Sequence, residues 1–265
     1  MNSTLFRYSY KRAFPLWLVF TVLMCLYSFA VVRMYDPVAG AALQALAQSL
    51  PQAMTVLGMA DYGNTFTAFI VNYLYGMLML ALPMVFTILL SVRLVAQHVS
   101  RGTMAYLLAS PNSRKCVTAT QRNVLILDLF LMLAVCCAVT IILCEYFYPG
   151  LLAIKHFLLL TACIFALQLA FAGMCFFFSC KCRSAGRALT ISAALCILFY
   201  TIRLLANLGG PFAFLRYATP YTLLDPVGIL QSDLHACLLP LVLLAIAIVL
   251  FLLAGRSFRK RTLPF

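Results

Sequence analysis

Six stretches of about 20 residues with almost no charge decide what this chain can become, because that length crosses a hydrocarbon core of about 30 Å. They run from about 13 to 32, 68 to 92, 124 to 144, 156 to 180, 188 to 207 and 236 to 255, and cover about half of the 265 residues. A composition of 65% hydrophobic and 9% charged residues agrees, since a soluble domain carries roughly a quarter charged residues on its surface. A large extramembrane domain is excluded, and the expected fold is an all-α polytopic membrane protein, one domain of six spans. The first stretch follows basic residues, as a signal peptide does, but is too long for one and reads as a retained span.

The formal net charge of +13 looks at first like a nucleic-acid signal. Position removes it. With the N-terminus inside, one side of the membrane receives Arg7, Lys11 and Arg12, then Arg93, Arg101, Arg114, Lys115 and Arg122, then Lys181, Arg183 and Arg187, then Arg256, Arg259, Lys260 and Arg261. The other side keeps Arg33, Lys155, Arg203 and Arg216. The positive-inside rule then places both termini in the cytoplasm and leaves no role for nucleic acid. Most of the eleven cysteines fall inside the stretches, where cysteine is a small apolar residue, so no disulfide framework is expected. Cys180 and Cys182 fall short of the four ligands of a structural zinc site. His98, His156 and His235 are too scattered for a metal triad.

Residues 1–14 carry Leu5, Phe6, Tyr10, Ala13 and Phe14 near one helical face, with Arg7 and Lys11 on another, which predicts an interfacial helix before the first span. The segment from Arg33 to Asn64 is an outer loop with a short helix ending near Pro51. Leu208 to His235 is also outer; Pro211, Pro220 and Pro226 interrupt it, and its aromatic residues favour a dip into the interface. Pro83 and Pro240 should bend the second and sixth spans.

The loop of residues 97–122, QHVSRGTMAYLLASPNSRKCVTATQR, carries the most information. Gly102 and Thr103 cap a short helix whose Met104, Leu107 and Leu108 share a face, and Pro111 and Asn112 stop it. Arg101, Arg114 and Lys115 flank it. Such a helix suits docking into a groove on another protein. Arg101, Gly102, Thr103, Leu107, Leu108, Pro111, Ser113 and Arg114 resemble the corresponding loop of ABC-2 type transporter permeases, the membrane subunits of bacterial ABC exporters. Residues 215–230, LRYATPYTLLDPVGIL, resemble that family's outer segment through Pro220, Tyr221, Asp225 and Pro226. Gln97, His98, Val99 and Ser100 depart from the resemblance, standing where the family usually has glutamates.

The resemblance implies a bacterial cytoplasmic membrane protein that pairs with a second permease, identical or related, and docks separate ATPase subunits through a coupling helix between spans two and three. The expected docking residues are Arg101, Gly102, Thr103, Met104, Leu107, Leu108, Pro111, Ser113, Arg114 and Lys115. The chain lacks G-x-x-x-x-G-K-[ST], so ATP and Mg belong to the partner subunit and no cofactor or catalytic residue is expected here. H-E-x-x-H and G-x-S-x-G are also missing. Asn72, Asp128, Gln168 and Thr190, with Ser192, are the polar residues available to line a path or bond helix to helix, and the second use is the commoner. Asp128 is expected to pair with Arg93 or Arg122 near the cytoplasmic surface, and Arg203 to snorkel outward. Ala170, Ala172 and Gly173 point to close helix packing. The rival readings are a membrane-embedded enzyme or scaffold not coupled to ATP, and an ion-coupled carrier.

Overall fold

The computed structural model describes residues 3–35, 66–76, 78–100, 102, 113–208, 214–215, 217–230 and 234–260. Among them there is no strand, and six helices are long and apolar enough to cross a membrane. The first span is Ser3–Arg33, the second Phe66–Ser100, the third Arg114–Phe147, the fourth Ile154–Lys181, the fifth Ala185–Asn207 and the sixth Leu234–Lys260. A chain in lipid must satisfy its backbone within itself, and helices do so segment by segment.

The helices extend past the apolar stretches because their charged flanks continue the same turn. Ser3–Arg33 is one continuous helix of 31 residues, about 46 Å at 1.5 Å per residue, with Pro15 inside it. The interfacial helix expected for residues 1–14 is not set apart from the first span. Leu5, Ser9 and Ala13, one turn apart, are buried, and Gln121 Nε2 of the third span donates to Ser9 Oγ at 3.0 Å. Leu5 and Ala13 of the apolar side therefore pack on protein, while Phe6 and Tyr10 are half-buried and Phe14 stays exposed. Further along the same pair, Trp17 Nε1 donates to the Asp128 carbonyl at 3.1 Å.

The fourth span is the centre of the bundle. It packs most extensively against the sixth span and also touches the second, third and fifth. A Cβ added to Gly173 would lie 3.2 Å from the Ala247 carbonyl oxygen and 3.1 Å from Leu250 Cβ, so the expected close packing is real and its partner is the sixth span. Gln168 Nε2 donates to the Leu80 carbonyl at 2.8 Å, one residue from Met79, the carbonyl that Pro83 leaves without its helical donor. Tyr75 Oη and Thr161 Oγ1, 2.8 Å apart, make a second bond between these spans.

Contacts sort the helix ends onto two faces. On one, Arg12 meets His98, and Ser100 meets Ala185, so the start of span one, the end of span two and the start of span five lie together. This is the basic end. On the other, Thr67 Oγ1 donates to the Leu151 carbonyl at 3.3 Å and accepts from the Ala153 amide at 3.0 Å. Tyr35, Phe66 and Tyr148 cluster there, with centroids 4.7 to 5.3 Å apart, as aromatic residues do at a membrane interface.

Candidate functional site

The segment between the fifth and sixth spans supplies the most unusual chemistry. It comprises a 3-10 turn, Pro220–Leu223, and one turn of α-helix, Pro226–Leu230. The prolines at 220 and 226 open these turns because neither needs an amide donor at that position. Tyr221, Leu224 and Ile229 are buried. Gly228 is required for the fit, since a Cβ there would lie 2.8 Å from Ala236 Cβ.

Tyr221 reaches far inside. Its hydroxyl donates to Met84 Sδ at 3.6 Å, and its ring lies 5.3 Å from Phe171 and 6.2 Å from Tyr200. Phe171 is seventeen residues from the non-basic start of the fourth span at Ile154, about 26 Å along the helix. Met84 is at a comparable depth in the second span, eighteen residues from Phe66. The expected dip is thus a re-entrant segment that descends well into the bundle. Irregular backbone at that depth is tolerated where protein or a water-lined cavity surrounds it.

Arg203 belongs to the same place. Its Cζ lies 5.1 Å over the Tyr221 ring, a cation–π contact that strengthens when water is excluded. It does not snorkel outward as the sequence implied; the aromatic face turns it inward. Its Nη1 is buried without a hydrogen-bond partner, and so are Tyr200 Oη and Thr222 Oγ1. No carboxylate among the described residues pairs with the guanidinium. A buried cation and two hydroxyls around one ring make a polar island in an apolar bundle.

The polar residues singled out from sequence do not converge. Asn72 is half-buried in the second span. Gln168 is fully buried and joins helix to helix. Thr190 is exposed and donates to its own helix at the Gly186 carbonyl, 3.0 Å away, so it neither lines an internal path nor bonds to another helix in this chain. Ser192 is buried. Asp128 is 1% exposed, and its Oδ2 has no partner. The ion pair expected with Arg93 or Arg122 is not formed: Arg93 is exposed, and Arg122 donates through Nε and Nη2 to Asn123 Oδ1 at 3.2 and 3.1 Å. Neighbouring depth along a helix does not put two side chains on one face.

At the basic end, the second span approaches its terminus through a π-helical stretch, Val92–Ala96, followed by Gln97–Ser100. Arg12 Nη1 donates to His98 Nε2 at 3.1 Å; arginine has no acceptor, so the imidazole nitrogen must accept. Ser100 Oγ accepts from the Ala185 amide at 2.6 Å. Gly102 has φ +69 and its amide bonds to the Val99 carbonyl at 3.2 Å. It therefore closes the second span as a left-handed C-terminal glycine; the short helix expected after it lies outside the described residues. Ser113 caps the third span, accepting from the Cys116 amide at 3.2 Å, and Arg114 and Lys115 form its first turn. Arg101, Thr103, Met104, Leu107, Leu108 and Pro111 lie outside the described residues.

Sequence reasoning found the re-entrant segment's composition but missed its partners. Tyr200 and Arg203, three residues apart on one helical face, were the available signal. No protein-family model matches the chain, and no curated protein matches it in sequence. Among the described residues the fold is helical without strands, with six helices long and apolar enough for a multi-pass membrane protein.

Proposed function

We propose that this chain is a permease subunit of an ATP-dependent exporter of the ABC-2 type, with both termini in the bacterial cytoplasm and ATP hydrolysed by separate subunits. The observation that carries the reading is the re-entrant segment: a chain broken into two single turns, Pro220–Leu223 and Pro226–Leu230, packs against the fourth, fifth and sixth spans and places Tyr221 beside the Arg203 guanidinium. Broken segments that bring polar groups to membrane depth are a common construction for substrate sites in transporters. A scaffold has no need of one.

The loop of residues 101–115 is the proposed coupling element. Its flanks support this role mechanically, because the second span just before it is tied to the first span by His98 and to the fifth by Ser100. A push on the loop is therefore delivered to three helices, as a rigid-body switch requires. Gln97 to Ser100 replace the acidic residues of the resembling family, and two of them hold neighbouring helices. Arg101, Arg114 and Lys115 then face acidic residues on the ATPase. A second permease copy or paralogue completes the assembly.

Deleting residues 101–114 should abolish co-purification of a Walker A protein while leaving membrane insertion intact. Continued co-purification would refute the docking assignment. The buried Asp128 carboxylate favours a second reading, an ion-coupled carrier, since intramembrane acids serve proton relays. That reading requires uptake into ATPase-free vesicles driven by a pH gradient and lost in Asp128→Asn.

A further inference from the structure

We propose that the basic end carries a built binding site for the headgroup of an anionic phospholipid, in the cleft between the third, fourth and sixth spans. The cleft has a volume of about 410 Å³. Lys115, Thr118, Ala119 and Arg122 line one wall, and Leu252, Gly255, Arg256 and Arg259 the other, with Phe176 and Phe251 between them. Each wall follows positions i, i+3, i+4 and i+7, which is one face of a helix.

The two faces thus turn four cations toward one concavity, and among the described residues no carboxylate lines it. Topology alone asks only that cations lie on this side of the membrane; it does not ask two packed helices to aim theirs at each other. Like charges converging on a partly enclosed space repel, and an anion between them converts that repulsion into attraction. Thr118 adds a hydroxyl, which its own helix already engages as a donor to the Arg114 and Lys115 carbonyls, so that its oxygen can still accept. A Cβ on Gly255 would meet nothing within 4 Å, so the space beside the arginines is open.

The occupant is lipid because of how the cleft continues. Its cations sit where the spans emerge from the apolar stretch, while its other walls are Phe176, Phe251 and Leu252, and Leu252 is exposed beside the likewise exposed Leu253 and Val249. A phosphate lodged among the cations has an apolar surface leading away from it along the sixth span, as a headgroup with acyl chains requires. Basic pockets between spanning helices are a general solution for such headgroups. The site is independent of the exporter reading, and the test leaves Lys115 intact because that reading places it in the docking loop.

The test is native mass spectrometry of the full chain in detergent, titrated with phosphatidylglycerol, phosphatidylethanolamine or inorganic phosphate. The wild type should hold one phosphatidylglycerol and discriminate against phosphatidylethanolamine. Replacing three cations (R122Q, R256Q and R259Q together) should weaken phosphatidylglycerol roughly a hundredfold. Gly255→Leu keeps every charge and fills the open space, and should lose the lipid too. A control that removes as many cations elsewhere at this end (K181Q, R183Q and R187Q together) should bind as the wild type does. Equal weakening in that control, equal affinity for the two lipids, or unchanged binding by Gly255→Leu would each overturn the proposal. Displacement of the lipid by equimolar inorganic phosphate would make this a free-phosphate site. Displacement by an equimolar acidic peptide would make it a protein-docking surface instead.

Discussion

The fourth and fifth spans are consecutive, comparably apolar and free of acidic residues, yet one is the core of the protein and the other its rim. In the most apolar stretch of the fourth, 67% of residues are buried, against 17% in the fifth. The fifth turns Ile197 and Leu198 outward while burying only Ala188, Ser192 and Cys196. Hydrophobicity does not separate them, because lipid tails accept leucine as readily as a protein interior does. What separates them is close approach and hydrogen bonding. The fourth span has Gly173 against the sixth and Gln168 against the second; the fifth has Gly186, whose surroundings are open.

The strongest way to break this contrast is to fill the close approach. Gly173→Leu drives a side chain into the Ala247 backbone and should cost about 3 kcal/mol, read as a collapse of the monodisperse peak in size exclusion and a large fall in Tm. Gly186→Leu in the fifth span meets open space and should stay within about 0.5 kcal/mol. Equal effects would mean that the two spans are not differently packed.

The fifth span also turns Arg203 inward, over the Tyr221 ring, and this sharpens the comparison. A double-mutant cycle of Arg203→Gln and Tyr221→Leu in a reversible unfolding assay should show a coupling of about 2 kcal/mol, the value of a desolvated cation–π contact. Zero coupling would detach the re-entrant segment from the fifth span. The smallest effect is expected from the polar pair. Gln168→Leu should cost about 1 kcal/mol by removing an interhelical bond, whereas Thr190→Val, on the exposed face, should leave the unfolding midpoint nearly unchanged.

Legibility from sequence follows the same division. Gly173 was readable as a packing residue because a small residue in a span has few other uses. Its partner was not, since nothing local points to Ala247, 74 positions away. Asp128 was expected at a surface ion pair from its nearness to Arg122. Six residues are about 9 Å and well over one turn along the helix, which put the two side chains on different faces. Arg203 was placed by its distance from the span's end, and its true position was set by an aromatic ring 18 residues later in sequence.

By itself, the sequence determined that this chain is helical, how many times it can cross a membrane and which loops carry its positive charge. Each of these depends on the transfer of short local segments between water and lipid, so a window of about 20 residues contains the cause. Only the tertiary structure decided that residues 3–14 continue the first helix on the third, that the segment after the fifth span descends to Phe171 and Met84, and that cations from two helices line one cleft. Those depend on which faces meet, and in a bilayer an apolar face gives no sign of whether it will meet lipid or protein.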